Sequence, residues 1–340
     1  MDFLRIVRAI SIGPAAFRAL RASTEGEVHS VFERVFNILI EGKLVGIGCS
    51  DILRSPINLI TDMLPSESMP SLGIRRGMRV RRVGDRMRVG EVLEISLEDV
   101  KLWQPKTCSE RCLSSELIKR NLEVVKQLAA NKSKPEGLGQ LLPHVEEIVS
   151  GIVPEVSYSD LVIETILPRL VNLVKSARTG DVRGVEESAQ RLIGLGFGLS
   201  PSADDALAGF MAANWWIANS LGGDLDRVRA MNEAIVGRVR KTTLISQRLL
   251  GHAANGEVNE AVEKLLESIL GGTAEDVKME FERVSRIGET SGIDTVVGVL
   301  LGLHLGLSMY GCLNSMDREK CEQIIVSTKS SDNTPSLRGV

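Results

Sequence analysis

The chain changes its grammar once, near Trp103-Gln-Pro105. Upstream, short apolar runs are separated by two-residue turn signals. Val28–Ile40 and Lys43–Gly48 flank Glu41-Gly42, and Met78–Val83 and Arg86–Ile95 flank Gly84-Asp85, with Gly90 read as a bulge. Such pairs predict hairpins, and glycine inside a strand pattern signals a bulge. Pro56–Thr61 is a further short run, while residues 1–22 read as helical, broken by Gly13-Pro14. Downstream, the apolar spacing is helical throughout. Patterns fall near 140–150, 158–178, 181–193, 203–220, 225–240, 242–255, 257–270, 274–287 and 292–313, after a helix capped by Ser109 and running to about Asn131. Pro168 implies a break or kink, Asp181 a cap, and Lys132–Gly139 a linker.

This pattern predicts an α+β fold: an N-terminal small β-barrel or sandwich followed by a C-terminal all-α helical domain. The expected units are 1–105, β-rich with a leading helix, 106–328, helical, and 329–340, a polar disordered tail that begins to lose apolar character near Val326. A length of 340 residues allows two domains, since one typically takes about 100–200.

Composition narrows the function classes. A net charge of -3 gives no global pull on nucleic acid. Seven arginines (75, 76, 79, 81, 82, 86 and 88) crowd the second hairpin. They suit either an acidic partner or the solvated face of a strand pair whose Met78, Val80, Met87 and Val89 turn inward. No aromatic residues interleave for base stacking, and charged edges protect sheets from aggregation. The five cysteines are odd in number and scattered. Cys108 and Cys112 lie four apart, on one helix face, with no second pair to complete a zinc site. Reduced thiols and a cytoplasmic location are expected, with no signal peptide in Met1–Leu20. Val296–Leu313 is apolar enough to suggest a membrane span, but a single borderline run with Gly298, Gly302 and Gly306 reads as a buried helix of a bundle. No membrane and no nucleic acid are expected as partners.

Chemistry concentrates in Gly194-Leu-Gly-Phe-Gly-Leu-Ser-Pro-Ser-Ala-Asp-Asp205. Gly194, Gly196 and Gly198 let backbone approach a ligand. Ser200, Pro201 and Ser202 open a helix, whose start offers unpaired N–H groups and partial positive charge. Asp204 and Asp205 in its first turn would repel a bare phosphate. A cation, or a ligand that donates N–H groups to a carboxylate, removes that conflict.

Ile287-Gly-Glu-Thr-Ser-Gly-Ile-Asp-Thr-Val-Val-Gly298 repeats the grammar. Ser291 and Asp294, three apart, can equally be a plain cap. If both helix starts face one pocket, Asp204, Asp205 and Asp294 converge there, with hydroxyls from Ser200, Ser202, Thr290 and Ser291 and with Glu289 and Gly292 alongside. Carboxylates and hydroxyls suit magnesium or a ureido ligand. Gly209 in the first helix and Gly298, Gly302 and Gly306 in the second would let the helices cross closely. Between the motifs, Thr242, Thr243 and Ser246 offer either a hydroxyl face or ordinary caps, beside the apolar stripe Leu249, Leu250 and Ala253.

On these motifs the chain resembles the AllH family, an uncharacterised-domain family that includes a subunit of oxamate carbamoyltransferase in anaerobic allantoin use. The family's Gly-Leu-Gly-x-Gly-Leu-Thr-Pro-Ser-Gly-Asp-Asp is matched at Gly194–Asp205, its Gly-His-Thr-Ser-Gly-x-Asp at Gly288–Asp294, and its Thr-x-x-x-Ser helix at Thr242 and Ser246. The strand pair Val31–Ile40 and Lys43–Gly48 also falls in place, so the resemblance spans about 25–315. Three positions depart. Ser200 stands for threonine and keeps a hydroxyl. Ala203 stands for glycine and crowds the backbone. Glu289 stands for histidine, which alters charge and proton chemistry.

The resemblance implies a carbamoyltransferase-like subunit in purine catabolism that moves a carbamoyl group between phosphate and a small amide or amine. Gly196, Gly198 and Ser200 would hold phosphate, Asp204 and Asp205 would orient the carbamoyl NH₂ or hold magnesium, and Ser291 and Asp294 would line the far wall. Other subunits of a complex would be partners. The alternatives are a non-catalytic small-molecule-binding or scaffolding subunit, and a magnesium-dependent hydrolase built on the aspartates.

Overall fold

The computed structural model describes residues 4–109, 113–130, 137–155 and 160–311. Cys112, most of the 132–139 linker and the polar tail lie outside the described residues, as does the end of the helix expected to reach Asn131.

The chain opens on a strand, β1 (Arg5–Ile12), followed by α1 (Pro14–Ala22). The expected leading helix is therefore a helix only after Gly13-Pro14. Arg5–Ile12 alternates exposed and buried positions along much of its length, the period of a strand, and it finds partners on both sides that no local pattern reveals. Eight further strands follow: β2 (Glu25–Val31), β3 (Val35–Ile40), β4 (Lys43–Gly48), β5 (Asn58–Thr61), β6 (Arg79–Val83), β7 (Arg86–Val89), β8 (Leu93–Ser96) and β9 (Lys101–Leu102). Val28–Ile40 is thus two strands rather than one. The chain reverses at Phe32–Arg34, where Phe32 N donates to Val35 O at 2.9 Å. Gly90 is a turn residue between β7 and β8 rather than a bulge, with φ 53°.

The sheet order is β5-β4-β3-β2-β6-β7-β8-β1, and β1 also pairs with β5, so eight strands close into a barrel, with β9 added on β1. Closure decides between the two expected architectures and removes the edges. The arginine hairpin β6–β7 is accordingly an internal pair rather than an edge. Val80, Met87 and Val89 fill the barrel, and Arg86 and Arg88 clamp the buried Glu94 at 3.0 and 2.7 Å. Phe36, Ile38, Val45, Ile47, Leu59 and Ile95 complete much of this core, which α1 covers with Ala16 and Ala19.

The remainder is helical: α2 (Ser115–Ala130), a 3-10 turn (Gly137–His144), α3 (Val145–Val149), α4 (Leu161–Thr179), α5 (Val182–Leu192), α6 (Ser202–Leu221), α7 (Leu225–Val236), α8 (Leu244–Ala253), α9 (Glu260–Gly271), α10 (Ala274–Val284) and α11 (Ser291–Tyr310). α2 begins six residues later than Ser109, with Ser114 Oγ accepting from Leu117 N. α4 runs through Pro168 without a break. Asp181 caps α5 by accepting from Gly184 N at 3.0 Å.

α6 and α11 form the centre. A Cβ on Gly298 would sit 1.9 Å from Ala206 O, one on Gly209 2.2 Å from Thr295 O, and one on Gly306 2.1 Å from the Ile217 side chain. Glycine at these positions brings the two backbones into contact, and the two helix starts come together with them. α11 is the one described helix long and apolar enough to cross a membrane, and most of it is buried inside the fold.

Barrel and helices meet through specific pairs. Arg54 binds Glu260 through Nη1 to Oε2 at 3.0 Å and backbone N to Oε1 at 3.0 Å, and Glu260 N donates back to Arg54 O at 2.9 Å. Arg248 Nη2 donates to Gly42 O at 2.6 Å. Between them lies a cleft.

Candidate functional site

The cleft encloses about 1070 Å³. Its barrel wall comes from β3, β4 and the 51–58 segment, including Arg34, Asn37, Ser55 and Asn58. Its helical wall comes from the starts of α6 and α11 and from α8, α9 and α10.

The glycine loop delivers the chain into α6 with Gly194, Gly196 and Gly198 at φ 84°, 112° and 92°. These are left-handed conformations that residues with a Cβ resist. Gly196 is further required because a Cβ there would lie 2.5 Å from Ser202 N. The first turn is already partly satisfied: Ala203 N donates to Leu195 O at 3.0 Å and Asp204 N to Pro201 O at 2.8 Å. Among the described residues no acceptor takes the amides from Gly196 to Ser200. Phe197, between two glycines, is 84% exposed and does not line the cleft, whereas Leu199, two residues on, does.

Ser200 is the junction. Its Oγ donates to Asp205 Oδ2 at 2.9 Å and lies 3.2 Å from Ser291 Oγ. Ser200, Asp205 and Ser291 all line the cleft, together with Gly288 and Thr295. The two motifs therefore share one cavity. Asp205 is 5% exposed. Burial drives its pKa up to about 8, the hydroxyls of Ser291 and Ser200 counter the rise, and the nearby Asp294 and Asp204 add to it. At neutral pH it is mainly a carboxylic acid, able to donate as well as accept.

Asp204 and Asp294 are placed differently. Asp204 is buried beneath the loop, where Oδ1 accepts from Gly194 N at 2.8 Å and Oδ2 from Thr242 Oγ1. Burial raises its pKa, while Thr242, Gly194 and Ser246 pull it down. Ser246 Oγ does so from beside it without a hydrogen bond of ordinary geometry. Asp204 ties the loop to the segment entering α8. Asp294 is fully buried on the side of α11 facing the 3-10 turn, and its Oδ1 accepts from Leu138 N at 2.7 Å. Burial raises its pKa to about 6, against lowering by Leu138 N and by the Ser202 and Thr290 hydroxyls. Leu138 is a partner the sequence did not reveal, since it lies 156 residues away.

The other expected residues divide. Thr243, not Thr242, caps α8, accepting from Ser246 N at 3.2 Å. Gly292 is taken up by packing, since a Cβ there would sit 1.9 Å from Val284 O. Glu289 is exposed and does not line the cleft. The described residues hold no group of three or more His, Cys, Asp or Glu side chains arranged to take a metal ion.

Sequence reasoning missed the barrel wall. Arg34 pairs with Asp51 there, and His252 Nδ1 faces Glu257 Oε2 at 2.7 Å on the helical side. Asn37, alone among apolar neighbours in Val35–Ile40, is the one signal the sequence carried.

Two family models match the chain. The AllH family N-terminal domain covers residues 8–102, and the model described as oxamate carbamoyltransferase subunit AllH covers residues 192–303. No solved structure matches.

Proposed function

Because the chain belongs to the AllH family, we propose that it is a carbamoyltransferase subunit whose cleft binds a small carbamoyl- or phosphate-bearing metabolite at the starts of α6 and α11. The observation that carries this reading is the 3.2 Å contact between Ser200 and Ser291, which joins the two motifs on one cleft wall beside Asp205. The family description names oxamate carbamoyl transfer, and a carbamoyl group has the features that this wall complements. Its NH₂ donates to a carboxyl oxygen, and its carbonyl accepts from a hydroxyl or from a protonated Asp205.

In such a transfer an amine or amide nitrogen attacks the carbamoyl carbon, the bond to the phosphate oxygen breaks, and phosphate leaves with the electron pair and takes up the proton that the nitrogen gives up. Asp205, which is 5% exposed, and Ser291 would donate hydrogen bonds to the carbonyl oxygen as charge develops on it. The unpaired amides from Gly196 to Ser200 would receive the phosphate. Asp204 and Asp294 act behind the wall, one holding the loop and the other holding the 3-10 turn against α11. Other subunits of the complex are the expected partners, and unpaired Cys49 and Cys108 suit a cytoplasmic setting.

A second reading, a ligand-binding subunit whose partner carries the chemistry, is favoured by Phe197, an apolar side chain 84% exposed outside the cleft that a partner subunit would cover. Calorimetry and turnover on the purified chain with carbamoyl phosphate and oxamate separate the two. Binding with turnover, both weakened about tenfold or more by Asp205→Asn or Ser291→Ala, supports the catalytic subunit. Binding without turnover supports the second reading. No binding to the wild type, alone or with its partner subunits, removes both.

A further inference from the structure

Asn37, Gly46 and Asn58 form one rung across three neighbouring strands. Asn37 on β3 pairs with Gly46 on β4, and Gly46 pairs with Asn58 on β5. Residues of one rung send their side chains to the same face of a sheet. This rung faces the cleft, because Asn37 and Asn58 both line it. The missing side chain in the middle makes room for the two carboxamides to fold over it. A Cβ on Gly46 would lie 2.6 Å from Asn58 Oδ1 and 3.2 Å from Asn37 Oδ1, so both carboxamide oxygens lean over the glycine.

The orientation of the two carboxamides is set by where their nitrogens go. Asn37 Nδ2 donates to Ser30 Oγ at 3.0 Å, and Asn58 Nδ2 donates to Leu53 O at 2.9 Å. One N–H of each carboxamide is used within the barrel wall, which turns the nitrogens that way, and among the described residues nothing donates to either Oδ1. Ser55 lines the same wall, is 6% exposed, and its buried Oγ has no hydrogen-bond partner among the described residues. A hydroxyl held out of water without a partner is costly and calls for an explanation. So does an asparagine inside an otherwise apolar strand.

We infer that Asn37 Oδ1, Asn58 Oδ1 and Ser55 Oγ form a second subsite, on the barrel wall of the cleft, that binds the N–H-bearing end of a small neutral ligand, a carboxamide or ureido group. Carboxamide oxygens accept and cannot donate. A carboxylate or phosphate would meet two facing oxygens and one hydroxyl. An ammonium would leave water for neutral carbonyls alone, since Asp51 nearby is paired with Arg34. An uncharged NH₂ satisfies both oxygens. The inference rests on the cleft being the ligand site and adds the wall opposite Ser200, Asp205 and Ser291. A transfer reaction needs two reactants, and a two-walled cleft gives each its own set of groups.

The test is saturation-transfer NMR on the full chain with three probes: acetamide, N,N-dimethylacetamide and acetate. Acetamide is expected to bind about tenfold more tightly than the other two, which lack N–H donors. Asn37→Leu should weaken acetamide about fivefold to tenfold, and Ser55→Ala about twofold to fivefold. Ser55→Ala guards against misfolding as an explanation, because the hydroxyl it removes has no partner, and its Tm should match wild type. Equal binding of all three probes, no acetamide binding, or unchanged affinity in both variants overturns the subsite. Ser291→Ala separates the two levels. If it alone weakens acetamide, the cleft stands as the ligand site and the barrel subsite falls; if variants on neither wall respond, both fall.

Discussion

Ser200 and Ser291 stand 91 residues apart in the chain and 3.2 Å apart through their hydroxyl oxygens. Ser200 also donates to Asp205, so a carboxyl and two hydroxyls form a short relay across the starts of α6 and α11. The relay can run either way. When Asp205 is ionised it accepts from Ser200, and when it is protonated it can donate to Ser200, which then turns its proton to Ser291.

Ser200→Ala and Ser291→Ala should therefore be non-additive. A double-mutant cycle on thermal or urea unfolding is expected to return a coupling energy of about 0.5–1.5 kcal/mol. A value indistinguishable from zero would mean that the contact carries no energy.

Asp205 makes stability depend on pH. Its folded-state pKa is raised from 3.8 to about 8, so the folded protein holds a proton that the unfolded chain has lost. The contribution is complete below about pH 4 and is lost as pH rises through about 8. Asp294, raised to about 6, acts in the same sense over the lower part of that window. Asp205→Asn removes the first titration. Its stability relative to wild type should rise with pH by up to about 1.4 kcal/mol per unit between pH 5 and 8. Parallel wild-type and variant curves, measured by urea unfolding in matched buffers, would contradict the assignment.

Thr242→Val should loosen the glycine loop. Asp204 Oδ2 loses its hydroxyl partner while remaining buried, at a cost of about 1–3 kcal/mol. Hydrogen exchange should show the loss first at the Gly194 amide, which donates to the same carboxyl. Unchanged protection there would place the loop's restraint elsewhere.

Gly298→Ala should destabilise by more than ordinary overpacking, about 1–3 kcal/mol at minimum, because its methyl would meet the Ala206 carbonyl oxygen at 1.9 Å. Gly251→Ala is the control, since nothing lies within 4 Å of a Cβ there, and it should be neutral or mildly stabilising. Equal Tm values for the two variants would contradict the tight α6–α11 crossing.

Glycine and hydroxyl-acid spacing marked both helix starts in advance. Gly194–Asp205 and Gly288–Asp294 needed only local rules for their left-handed glycines and first-turn carboxylates, which depend on neighbours a few residues away. The serine caps expected there are not made: Pro201 and Thr290 occupy the N-cap positions, and neither start has a side-chain cap bond. The glycine stripe of α11 likewise announced a close crossing. What the local pattern withheld was everything set by distant pairing. β1 has the length of a helix fragment and became a strand because β5 and β8 flank it. The three aspartates look alike in the sequence and differ in the fold. Asp205 faces the cleft, Asp204 braces a loop, and Asp294 receives Leu138 from a segment 156 residues away. The Asn37–Gly46–Asn58 rung exists only through strand register. Sequence by itself determined which groups could do chemistry, since that follows from residue type and short spacing. Only the tertiary structure decided which of them meet, since burial and partnership arise from chain segments that come together on folding.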